Sequence, residues 1–159
     1  MVLSLREIEE LYRAQSPRFR RVAFAILRDE EDAREAVQEA FARAIRFRSS
    51  FRRSGDVEAW LWRTLVNTCH DVGRRRRLLA QPTAEVGAGQ SANGTVGDEV
   101  RAAVALLPER QRLVLFLRHY ADLSYAQIAE TLGIERGTVS ATLHAARASL
   151  RSLLEEVET

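Results

Sequence analysis

The 159-residue chain is 46% hydrophobic, enough to bury the core of one domain or of two small ones. It holds no apolar run of membrane-spanning length, and its N-terminus, MVLSLREIEEL, is charged too early for a signal peptide, which points to a cytoplasmic protein with no membrane insertion. Its one cysteine, Cys69, excludes an intramolecular disulfide and any multi-cysteine metal site, and the net charge of +2 is too small to name a partner. That charge is unevenly spread. Residues 1–77 carry 17 arginines against 12 acids, residues 78–99 three acids and no base, and residues 100–159 seven of each. All 24 basic residues are arginine, a bias that a GC-rich coding sequence would produce, although guanidinium also suits bidentate phosphate and guanine contacts.

In chain order, Ser4 and Glu7 form a capping box ahead of Leu5, Ile8, Leu11 and Tyr12. Ser16-Pro17 then predicts a second helix start, with Phe19, Val22, Ala23, Ile26 and Leu27 as its apolar positions. A further helix opens at Asp29 or Asp32 and turns Ala33, Val37, Ala40, Phe41 and Ala44 inward, leaving Glu35, Gln38, Glu39 and Arg43 elsewhere. The loop around Phe51, Arg52, Arg53, Ser54, Gly55 and Asp56 breaks the pattern. From Val57 the next helix places Leu61, Leu65, Cys69 and Val72 on one face. Arg63, Asn67, His70, Arg74 and Arg77 line nearly the opposite one, which is polar and mostly basic.

Composition changes abruptly after the arginine run. Gln81 to Gly97, QPTAEVGAGQSANGTVG, lacks apolar periodicity and reads as a flexible linker that could stretch to roughly 55 Å, so two modules so joined could sit on separate stretches of DNA. Beyond it, Val100 to Leu106 starts another helix, Leu107-Pro108-Glu109 restarts one, and Arg112 to Tyr120 continues it with Leu113, Leu115, Phe116 and Leu117. Ser124 with Gln127 caps a short helix carrying Ile128 and Leu132, and Gly133 supplies a turn. A second helix from near Glu135 buries Val139, Leu143, Ala146 and Leu150 and leaves Arg136, Ser140, Ala141, His144 and Arg147 outward. Helix, turn and helix in this order suit a DNA groove. The expected fold is all-α, with helical domains at 1–80 and 98–159 joined by a linker at 81–97.

Both halves resemble one family, the extracytoplasmic-function (ECF) sigma factors of bacterial RNA polymerase. The resemblance lies in DEEDAREAVQEAFARA (29–44) and FRRSGDVEAWLWRTLVNTCHDVGRRRR (51–77), which are similar to the family's second region. LPERQR, LSYAQIAETLGI and GTV are similar to its fourth, and the motifs stand in the family's order. The resemblance implies a factor that binds core RNA polymerase and promoter DNA and is restrained by a separate anti-sigma factor. It implies no enzyme activity, cofactor, metal or small-molecule substrate. At this length the autoinhibitory first region and the third region of primary sigma factors would be missing.

Carried over residue by residue, the resemblance assigns Glu35, Gln38, Glu39 and Ala42 to a solvent-facing surface that docks on a coiled coil of the polymerase. The loop Phe51, Arg52, Arg53 and Ser54, with Asn67 beneath it, corresponds to the element that captures a base flipped from the -10 promoter element, where a carboxamide can read a base edge. Arg63, His70, Arg74, Arg75 and Arg77 would meet the same DNA, the arginines mainly through phosphates. Trp60, in the family's Ala-Trp-Leu, is expected in the core, and Cys69 is expected as a buried thiol. At the -35 element the resemblance points to Arg136, Thr138, Ser140, Ala141, Thr142, His144 and Arg147. Three of the commonly basic positions there are Ser140, Thr142 and Ala145, and Glu135 replaces the usual capping serine. The competing readings are a homodimeric helix-turn-helix regulator and an interaction protein that no longer reads promoters.

Overall fold

The computed structural model describes residues 2–51, 55–79 and 96–158; Arg52, Arg53, Ser54 and the segment 80–95, which includes most of the expected linker, lie outside the described residues. Among the described residues there are seven α-helices and no strand: α1 (Leu5–Leu27), α2 (Glu30–Arg46), α3 (Val57–Leu79), α4 (Val96–Leu106), α5 (Glu109–His119), α6 (Tyr125–Leu132) and α7 (Arg136–Glu158). A 3-10 turn at Arg48–Ser50 follows α2. α4 starts at Val96, two residues before the expected start of the second domain at 98.

The helix starts follow side-chain chemistry. Ser4 Oγ accepts from the Glu7 amide while Glu7 accepts from the Ser4 amide, so two of the four donors that a helix start leaves unpaired are satisfied. Ser124 and Gln127 repeat the device on α6. The Asp29 carboxylate accepts from the Asp32 amide, which makes Asp29 the start of α2. Gly133, at φ +65°, closes α6 in the left-handed conformation that glycine adopts without strain.

The expected restart at Ser16-Pro17 does not occur. α1 runs through Pro17 as one 23-residue helix, because the apolar stripe from Ile8 through Phe19 to Val22 and Ala23 is continuous and its burial outweighs one missing amide donor. Helices α1, α2 and α3 close around Phe19. Its ring lies 4.3 Å from Trp62 and 5.2 Å from Phe41, and Tyr12 meets Phe41 edge-on at 4.4 Å. In the C-terminal half, Leu117, Ile128, Val139 and Leu143 form the centre between α5, α6 and α7.

The two halves are packed on each other rather than held apart. α6 lies against α3, with the buried Thr131 hydroxyl donating to the Ala59 carbonyl at 3.5 Å. Gln127 Nε2 donates to Asp56 Oδ2 at 2.8 Å, and His70 Nε2 stands 3.0 Å from a Glu109 carboxylate oxygen. α5 meets α1, where the Arg21 guanidinium stacks over the Tyr120 ring, and Arg28 donates to the Ala105 carbonyl.

Candidate nucleic-acid and polymerase interfaces

α3 supplies the largest part of the candidate site. Its buried stripe of Leu61, Leu65, Cys69 and Val72 fixes the rotation of the helix, so Arg63 and Asn67 are exposed on the far side, as expected. There they border a depression of about 350 Å³ completed by Arg43, Phe47, Ser50, Trp60 and Thr64. That volume lies at the small end of ligand pockets, which start near ~300 Å³. Phe51 packs its ring 5.6 Å from Trp60 and so props the wall from which the loop departs.

Trp60, expected in the core, packs at its edge, and its neighbour Trp62 takes the fully buried position. Trp62 is fully buried, whereas Trp60 is half-buried and presents part of its indole to the depression. The signal was present in the sequence: from the centre of the apolar stripe, Trp62 is displaced by roughly 65° and Trp60 by roughly 135° at 100° per residue. Arg43, Phe47 and Ser50 escaped the sequence reading because α2 and the 3-10 turn bring them to α3 only in the folded chain, whereas Thr64 stands on α3 itself beside Arg63 and its helical position already placed it there.

Beside the depression runs an ion network. Arg43 donates to Asp71 Oδ2 at 2.7 Å and to Glu39 Oε1 at 2.8 Å, while Arg75 donates to Glu39 Oε2 at 2.7 Å. Arg74 approaches the other Asp71 oxygen at 3.6 Å, and Arg76 pairs with Asp29 and Asp32. The hydrogen bond to Asp71 leads the effects that raise the Arg43 pKa, and the reciprocal bond lowers that of Asp71. Burial pushes the Glu39 carboxyl up, but the bonds from Arg75 and Arg43 together outweigh it and hold the group below its ordinary value.

Glu39 is therefore not the freely solvated residue expected; Glu35, Gln38 and Ala42 around it are exposed. Arg74, Arg75 and Arg77 are exposed at the end of α3, whereas His70 turns to Glu109. Cys69 is buried, with its thiol pushed up to about 12 by desolvation, and its neighbours His70 and Asp71 point to other helices. No group of three potential metal ligands occurs among the described residues, and no helix there is long and apolar enough to cross a membrane.

On α7, Val139, Leu143 and Ala146 are buried, which leaves Arg136, Thr138, Ser140, Ala141, His144 and Arg147 exposed in one run. Thr142 is half-buried, its hydroxyl turned back to the Thr138 carbonyl at 2.7 Å. His119, at the end of α5, was not foreseen as part of this surface. Burial lowers its pKa, and the Arg147 and Arg118 charges lower it further, so it stays neutral and adds no charge to the corner that those two arginines make at the far end of the exposed run.

Residues 11–78 match the family described as sigma-70 region 2, and residues 97–150 match sigma-70, region 4. The ECF RNA polymerase sigma factor SigM of Mycobacterium tuberculosis is 35% identical over 95% of this chain and 79% of its own length. The RNA polymerase sigma-E factor of Streptomyces antibioticus is 32% identical over 96% and 86% respectively. Among solved structures, the sigma factor RpoE of Bartonella quintana in complex with the anti-sigma factor NepR superposes with a TM-score of 0.75 at 21% identity, covering 95% of this chain and 98% of that one. CnrH in complex with the cytosolic domain of CnrY gives 0.74 at 23%, covering 96% and 90%.

Proposed function

The chain belongs to the extracytoplasmic-function sigma factors of the sigma-70 family, and on that basis we propose how its two halves divide the work of starting transcription. It is a transcription initiation factor that binds core RNA polymerase and carries it to selected promoters. The α2 face of Glu35, Gln38, Glu39 and Ala42 docks on the polymerase. The depression between α2, the 3-10 turn and α3 receives one unstacked base of the -10 element, and the exposed run on α7 lies on the -35 element. An anti-sigma factor restrains the chain, a reading supported by the structural neighbour RpoE, which is in complex with the anti-sigma factor NepR. The factor acts in the cytoplasm by binding energy alone, with no covalent chemistry.

The observation that carries this reading is the depression itself. An extruded base needs an aromatic wall and a few polar groups that meet its edge. Trp60 and Phe47 offer the first, and Asn67, Ser50 and Thr64 the second. Arginine at 43 and 63 suits the accompanying backbone phosphates. A homodimeric helix-turn-helix regulator, with the N-terminal half as a dimerisation or sensing domain, would account for the C-terminal match but not for the match of residues 11–78 to sigma-70 region 2.

The test is abortive initiation by reconstituted holoenzyme on promoters randomised through the -10 element. Asn67→Ala is expected to flatten the preference at one position, by about 1–3 kcal/mol for the favoured base. Arg77→Gln is expected to lower initiation almost evenly across the library, since phosphate contacts carry no sequence code. A library profile that Asn67→Ala leaves unchanged would remove the base-reading role.

A further inference from the structure

The ion network ties together two surfaces that meet different partners. Glu39 stands on the α2 face that docks on polymerase, and Arg75 stands on the α3 end that meets DNA, yet they share a 2.7 Å hydrogen bond. Arg43 borders the base-sized depression and is bound by the other oxygen of the same carboxylate at 2.8 Å. One carboxylate thus spans two guanidiniums with its two oxygens, as a backbone phosphate would with its two non-bridging oxygens. The Arg75 side chain is 54% exposed and that of Glu39 27%. Ion pairs in contact with solvent contribute little net stability, so a better anion can displace this one.

We propose that Arg43 and Arg75 form a binding site for a single backbone phosphate of the melted strand, which the Glu39 carboxylate fills in the free chain, and that polymerase docking on Glu39 hands both guanidiniums to DNA. The proposal rests on the docking role given to the α2 face. An arginine-bearing polymerase surface that pairs with Glu39 competes for the same two oxygens. Arg43 keeps its orientation through Asp71, which holds it from α3 at 2.7 Å while Glu39 is withdrawn. The coupling is reciprocal: a strand bound at this site raises the affinity for polymerase by the factor by which polymerase raises the affinity for the strand.

The experiment uses the full chain, without polymerase, and a fluorescent single-stranded oligonucleotide, read by anisotropy across a salt series. Glu39→Gln keeps the shape of the side chain and frees the arginines. It is expected to tighten binding about 3- to 10-fold and to steepen the log–log salt slope by about 0.7, the value for one added phosphate contact on a single strand. Glu30→Gln, an exposed change on the same helix outside the network, controls for net charge and should give a smaller gain with no change of slope. Adding Arg75→Gln to Glu39→Gln should erase the gain, and circular dichroism verifies that each variant is folded. A gain no larger than that of Glu30→Gln, or one that survives loss of Arg75, overturns the phosphate site. Core-polymerase affinity separates this from the docking role. If Glu39→Gln weakens polymerase binding without improving DNA binding, the phosphate site falls and the docking role stands. If DNA binding improves while polymerase affinity is unchanged, the handover falls and the phosphate site stands.

Discussion

Trp60 and Trp62 stand two positions apart on α3 and call for opposite experiments. Trp62 is fully buried against Phe19, so Trp62→Ala is expected to cost about 3–5 kcal/mol in chemical denaturation. Trp60→Ala removes one wall of the depression and should depress open-complex formation severalfold while costing less stability than Trp62→Ala. Equal destabilisation by both changes would show that Trp60 serves the core alone. The residues that reach a site from a single helix, such as Arg63 and Asn67, were legible in the sequence because helical period fixes which face they share. Arg43 and Phe47 were not. Their place depends on how α2 crosses α3, and nothing in their immediate sequence records that crossing.

Among the elements, α2 and α3 are joined by charge as well as by apolar contact, and that charge has a pH signature. Asp71 and Glu39 are held below their ordinary pKa values in the folded chain, so their contribution is complete above the unfolded carboxylate range and is lost as pH falls through the depressed values. Asp71→Asn should therefore melt below the parent at neutral pH, by a margin that is steady down to about pH 5 and closes below about pH 4. A margin constant to strong acid would mean that Asp71 acts only by shape. Caps and apolar stripes made six of the seven helices readable. α1 was divided wrongly because the Ser16-Pro17 signal is local, whereas the choice between one helix and two was made by packing along its whole length.

At the scale of the molecule, the association of the halves could not have been read from the sequence. Its contacts pair residues about seventy positions apart, Gln127 with Asp56 and Thr131 with Ala59, and they use small or polar side chains that form no periodic pattern. Thr131→Arg forces a charge into that buried seam and should separate the halves. Small-angle scattering is expected to show a radius of gyration near ~15 Å for the parent and a clear increase for the variant, with helical content retained. An unchanged radius would mean that other contacts hold the halves together. Asp56 gives the seam an evolutionary dimension. Its Oδ1 accepts the first amides of α3, while its Oδ2 accepts from Gln127 in the helix-turn-helix half. The two halves are thus not freely interchangeable parts. A chimera that grafts residues 96–158 from a relative with no amide at position 127 would leave Asp56 short of a donor, so recombination between such factors should succeed most readily where positions 56 and 127 travel together.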